Sequence, residues 1–102
     1  LICPVFPTPA FPMNFEPSPF KKRLPLNGEE RPFVEFLFWP GIPNGVYLPS
    51  TCVPIGRTDD TNLPVGVQII GPYLHDHTTI ELARLIEQEF GGYTQPDLVL
   101  QK

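Results

Sequence analysis

The run Leu63-Pro-Val-Gly-Val-Gln-Ile-Ile-Gly-Pro72 constrains the fold of this chain more than any other stretch. Val65, Val67, Ile69 and Ile70 supply β-branched side chains, and Gly66 leaves room for a second backbone to approach. Pro72 has no N–H with which to continue a ladder, so the run predicts a buried strand over 64–71 that ends at the proline. Apolar side chains on both faces near its end call for cover on both sides, as on a central strand of an α/β sheet. A strand alone makes no sheet, so its neighbours must be sought elsewhere.

Ser50-Thr-Cys-Val-Pro-Ile-Gly56 is a second strand candidate, delivered to the first by the polar turn Arg57-Thr-Asp-Asp-Thr-Asn62. Leu1 to Val5 is a third, shorter one. After Pro72, Asp76 is placed to cap a helix over 76–90. Ile80, Ala83, Ile86 and Phe90 recur at helical spacing and predict the face turned to the sheet, with Glu81, Arg84, Glu87 and Gln88 on the other side. Gly91-Gly92 ends this helix in the left-handed way, and residues 93–102 form a tail.

The segments before residue 50 are dominated by proline. Fifteen prolines in 102 residues are about three times average usage. A hydrophobic share of 41% with 12% aromatics is nevertheless too apolar for a disordered tail. Phe6, Phe11, Phe15 and Phe20 are spaced among the prolines of residues 1–20, which predicts a long ordered loop pinned by aromatics docked on a surface. Asn27-Gly28 predicts a tight turn or short hairpin, since both residues accept positive φ. Pro32 suits the first turn of a helical segment in which Phe33, Phe36, Leu37 and Pro40 share a face. That segment is apolar nearly all round, so of the turn and helix over residues 21–48 the helix is expected to be buried, with a kink or break between Trp39 and Asn44. The chain opens without Met and already strand-like, and reads as the end of something longer.

Several function classes fall away on chemistry. The net charge is −4, and apart from Lys21-Lys22-Arg23 the bases form no stripe that could follow phosphates, so no nucleic-acid partner is expected. No stretch approaches the roughly 18 to 20 apolar residues of a membrane span, so no membrane partner is expected either. Cys3 and Cys52 lie in strand-like runs and predict buried free thiols. His75 and His77 flank the capping Asp76, which turns their rings apart, so no metal site is predicted. Ser50, Thr51 and Cys52 lack both a glycine-rich elbow and a base at a recognisable spacing, and no catalytic residue is assigned. Asp59-Asp60 reads as a solvated turn. The aromatics Phe36, Phe38, Trp39 and Tyr47 either pack internally or line a pocket wall, being large apolar groups near a helix break. No group suited to holding a cofactor stands out.

Taken together, Cys3-Pro-Val-Phe-Pro-Thr-Pro-Ala10, Asn27-Gly28, Phe38-Trp39, Leu48-Pro-Ser-Thr-Cys-Val-Pro-Ile-Gly56, Leu63 to Pro72, Asp76 and Phe90-Gly-Gly-Tyr93 resemble the C-terminal end of amidase signature enzymes. The resemblance covers nearly the whole chain, and Leu63 to Pro72 is its most specific part. It implies an α/β fold in which these residues form part of a mixed central β-sheet covered by helices, the C-terminal portion of a single amidase domain. It also implies cleavage of carboxylic amides to acid and ammonia or amine by a Ser–cis-Ser–Lys triad, with the acyl-enzyme hydrolysed by water and no cofactor. The family's triad lies in an earlier Gly/Ser-rich portion. Lys21, Lys22 and Lys102 match no triad position, so the chain alone is expected to be inactive.

By position in the resemblance, Trp39, Phe36 and Tyr47 are the substrate-pocket wall. Two departures from the family pattern stand out. Asn62 replaces a usual Gly before Leu-Pro, a substitution that a left-handed residue tolerates. Val46-Tyr47 replaces small residues and reshapes the substrate side. The partners expected are the upstream part of the same enzyme, a small amide, and a further copy in a homo-oligomer; the compartment expected is the cytoplasm. An amidotransferase A-type subunit, or a non-enzymatic module that pairs through its strand edges, are the alternatives.

Overall fold

In the computed structural model of the chain, which describes residues 1–96, the Leu63 to Pro72 run forms the middle strand of a three-stranded antiparallel sheet. The strands are β1 (Ile2–Pro4), β2 (Arg23–Leu26), β3 (Glu29–Pro32), β4 (Ser50–Arg57) and β5 (Pro64–Ile70), ordered β1-β5-β4 in the main sheet, with β2 and β3 as a separate hairpin. A 3-10 segment, Phe33–Leu37, leads directly into α1 (Phe38–Gly45), and α2 (Asp76–Phe90) follows the sheet. The architecture is α/β, and every strand pairing within the described residues is antiparallel.

β5 is central and pairs on both edges. Ile2 to Pro4 pair with Ile69 to Val67 on one side, and Ser50 to Arg57 pair with Ile70 to Pro64 on the other. Among the described residues β4 is an edge strand, where a proline is tolerated, and its pairing is irregular just past Pro54, where the register shifts before Gly56. Gly66, opposite Pro54, permits a close approach of the two backbones: a Cβ there would lie 2.8 Å from the Val53 carbonyl oxygen.

Pleating divides the sheet into two faces. Val53, Val67 and Ile69 meet Leu82, Ala83 and Ile86 of α2 and form the core. The helix is rotated relative to the face read from periodicity. Thr79 and Ala83 are buried, whereas Ile80 is 55% and Phe90 60% exposed. The inward set is therefore 79, 82, 83 and 86: Ala83 and Ile86 hold the expected face, and Thr79 and Leu82 take the places expected of Ile80 and Phe90. Thr79 accepts burial because its hydroxyl is paired: the Thr51 hydroxyl donates to it at 2.8 Å, and it donates to the Asp76 carbonyl at 2.8 Å. Asp76 is the first residue of α2, and His75 at the cap position makes no side-chain capping bond. At the other end Gly91 is left-handed at φ 92°, and its N–H donates to the Glu87 carbonyl.

Other departures have equally local causes. Cys3 is buried but Cys52 is exposed, although both lie on outer strands and on the face away from α2. Of the loop phenylalanines, Phe6 stacks on Phe11 and packs against Phe33 and Phe36. Phe15 and Phe20 stay exposed. The 33–45 segment is not buried all round, since Leu37 and Phe38 lie open. Its break falls at the 3-10 to α junction after Leu37, and Pro43 is carried inside α1. Asn27 (φ 52°) and Gly28 (φ 83°) both take positive φ in the β2–β3 turn, and Asn62 (φ 55°) does so before Leu63. The part of the tail over 97–102 lies outside the described residues.

Candidate functional site

The three residues read as a pocket wall occupy different environments. Phe36 is fully buried and touches Phe6, with ring centroids 5.5 Å apart. In this chain it works as packing. Trp39, the second residue of α1, is half-buried and meets Phe38 edge-on at 5.1 Å. Tyr47 is 82% exposed just past the end of α1 and sits at φ 56°. A tyrosine there bears a strain that a glycine would not. Grooves of about 540 Å³ beside Pro54, Arg57 and Phe90, and of about 470 Å³ beside Phe6, Ile55 and Val67, are lined by other residues.

What ties Trp39 to the sheet is a residue that periodicity did not single out. Gln68 is the only amide in the Leu63 to Pro72 run, and it is 3% exposed. Its Nε2 donates to the Pro4 carbonyl at 3.0 Å and to the Trp39 carbonyl at 2.9 Å. Its Oε1 accepts from the Ser50 hydroxyl at 3.0 Å. One side chain thus joins β1, β4, β5 and α1, and with two donors and one acceptor engaged its amide has a defined orientation. The signal that could have found it is a lone polar residue in a run otherwise suited to full burial, since such a group must have partners.

The remaining polar candidates are engaged or solvated. Ser50 and Thr51 give their hydroxyl protons to Gln68 and Thr79. Asp60 accepts the Thr61 N–H in an exposed turn, and His75 and His77 are exposed. Among the described residues, no group of three or more His, Cys, Asp or Glu side chains could hold a metal ion. Ion pairs lie at the surface: Arg31 with Glu35, and Arg84 with Glu81. Hydrogen bonding to Glu35, helped by its charge, raises the Arg31 pKa, and hydrogen bonding from Arg84 lowers that of Glu81. Neither pair adjoins the Gln68 site in the hydrogen-bond pattern.

Residues 1–80 match the family model described as Amidase. The chain belongs to the amidase family. It is 38% identical over 68 residues to fatty-acid amide hydrolase 2-B of Danio rerio, covering 66% of this chain and 13% of that protein. It is 42% identical over 55 residues to the A-type subunit of the glutamyl-tRNA(Gln) amidotransferase of an Exiguobacterium species, covering 54% and 11%. Against indoleacetamide hydrolase of Allorhizobium ampelinum the identity is 33% over 81 residues, covering 78% and 17%. The amidase chain therefore spans less than a fifth of the length of these curated relatives. Its family match includes β1, the Gln68 site, β4 and β5. No helix among the described residues of this amidase chain is long and apolar enough to cross a membrane.

Proposed function

We propose that this amidase chain supplies a structural platform and an aromatic pocket wall to an enzyme that hydrolyses carboxylic amides to acid and ammonia or amine. The family match over residues 1–80 carries this reading. The nucleophile is a serine outside this chain, activated through a second serine by a lysine. Its oxygen attacks the amide carbon, the amine leaves with a proton, and water then releases the acid. Trp39 and Tyr47 contribute the wall, with Phe36 as buried packing beneath it, and Tyr47 in particular sets its outer limit. An aromatic wall suits a small amide with an apolar group, since such surfaces gain from contact with apolar ligands. The setting proposed is cytoplasmic, without cofactor, with the upstream part of the same enzyme as partner and a homo-oligomer as the assembly.

A second reading, an A-type subunit of an amidotransferase, is favoured by the 42% identity over 55 residues to the Exiguobacterium protein. A third, a non-enzymatic module, draws on the outer edges of β1 and β4, which could pair with another chain. Analytical ultracentrifugation discriminates the third, because a self-contained module forms a defined monomer or dimer.

The test replaces the matching segment of the indoleacetamide hydrolase with this chain and follows ammonia or amine release from small aryl and alkyl amides. The graft should turn over, and the chain alone should equal buffer. Loss of triad members in a serine hydrolase leaves only about 10³ to 10⁴-fold catalysis over water, which comes from an anion hole and a substrate site, and on this reading the chain alone assembles neither. Turnover by the chain alone that disappears in Ser50→Ala or Cys52→Ala would place the nucleophile here and defeat the reading. Within the graft, Trp39→Ala should raise KM roughly tenfold or more with little change in kcat, as lost apolar contact does.

A further inference from the structure

We infer that Gln68 is a positioning residue for Trp39: its side-chain amide replaces the helical hydrogen bond that Pro43 removes, and so pins the aromatic wall to the central strand. The inference rests on the reading of Trp39 as a wall residue and deepens it. In an α-helix the carbonyl of residue 39 accepts from the N–H of residue 43. Here residue 43 is a buried proline inside α1, which has no N–H and whose ring crowds that same carbonyl. The Trp39 carbonyl would be left without its helical donor. Gln68 Nε2 lies 2.9 Å from it.

The fit is chemically particular. Gln68 needs two N–H donors, one for Trp39 and one for Pro4, and an acceptor for Ser50. Glutamate has the acceptors but no donors, leucine has neither, and asparagine is one methylene short. Exchanging the amide nitrogen and oxygen would set an oxygen against two carbonyls, so the hydrogen-bond pattern itself assigns the orientation. Gln68 is almost fully buried and cannot turn to water, so its partners hold it as firmly as it holds them. By strand pleat it faces away from Val67 and Ile69, on the side opposite α2. Pro43 and Gln68 thus form a matched pair. The proline opens a carbonyl near the start of α1, and the glutamine uses that opening to fasten α1 to β5.

Trp39 is the only tryptophan, so its emission and its quenching by acrylamide report its placement in the full 102-residue chain. Gln68→Leu should shift the emission to the red and increase quenching. It should lower the melting temperature by roughly 5 to 15 °C, as two partly buried carbonyls left unpaired do in a domain of this size. Adding Pro43→Ala to Gln68→Leu should reverse part of the emission shift, because residue 43 then offers its own N–H to the Trp39 carbonyl. Val53→Ala, which weakens the core on the opposite face, should lower the melting temperature and leave native-state quenching at the wild-type value. Where Gln68→Leu fails to fold, Ser50→Ala, which releases only Oε1, should still increase quenching. Wild-type quenching in the glutamine variant, or in Ser50→Ala where that variant stands in, overturns the inference. So does a double variant whose effects simply add, since coupled groups depart from additivity. These readings need no turnover. A graft whose KM ignores Trp39→Ala defeats the wall reading and leaves the fluorescence result intact, whereas wild-type fluorescence in Gln68→Leu defeats the positioning role whatever the KM.

Discussion

Cys3 and Cys52 stand on either side of Gln68 in one row across the sheet, each the register partner of that residue. Two strand spacings separate their Cα atoms by about 9 to 10 Å, past the roughly 7 Å at which a disulfide can form without backbone movement. Both are free, Cys3 buried and Cys52 exposed. A thiol titration in denaturant without reductant should count two thiols. In the native protein, one should react at once and the other only as fast as the sheet edge opens. A count of zero, or two thiols reacting together in the native state, would contradict the register.

The rotation of α2 makes a prediction that separates neighbours. Ile86→Ala should cost about 1 to 3 kcal/mol, less than a full core cavity because the residue is only half-buried. Thr79→Val should cost a similar ~1 to 3 kcal/mol by leaving the Thr51 hydroxyl and the Asp76 carbonyl short of a partner. Ile80→Ala should lie within about 0.5 kcal/mol of wild type. Urea titrations of the three variants give the order, and a larger loss at Ile80 than at Ile86 would put the helix on the wrong face.

The Glu81–Arg84 pair predicts a small acid dependence with a definite sign. The Arg84 guanidinium donates to the Glu81 carboxylate at 2.6 and 2.9 Å, and this bond is the first cause of the lowered Glu81 pKa; desolvation opposes it, and the Arg84 charge assists. A folded pKa below the ordinary 4.5 means the native state binds fewer protons, so the stabilisation is present above that value and is lost as pH falls through the folded one. Both groups are at the surface, so the effect on stability is minor. Carboxyl NMR titration should place Glu81 below its ordinary value and return it there in Arg84→Gln. An unchanged titration in that variant would remove Arg84 as the cause.

Where the controlling chemistry is carried by a residue and its immediate neighbours, the sequence was sufficient. Asn27-Gly28 turns the chain because those residues tolerate positive φ, and Asn62 adopts the left-handed conformation for the same reason. The β-branched run over Leu63 to Pro72 is a strand that stops before its proline, and the apolar period over 76–90 is a helix closed by Gly91. That Phe36, Trp39 and Tyr47 are aromatic and close in sequence was equally plain, but not that Phe36 is packing while Tyr47 lies open.

What the residues face was decided by the tertiary structure. A helical period leaves the edge of its buried face open, and Thr79 rather than Ile80 lies inward, where its hydroxyl accepts from that of Thr51. Cys52 and Cys3 occupy similar strand contexts on one face of the sheet, yet one is covered and the other open, which depends on what the fold lays over each end of that row. Gln68 shows the limit most clearly. In sequence it is one polar residue in an apolar strand, and its partners Pro4, Trp39 and Ser50 are 64, 29 and 18 residues away. Hydrogen-bond partnership at such separations is set by the assembled sheet, because the carbonyl that Pro43 leaves unpaired becomes a site for Gln68 only when α1 and β5 are brought together.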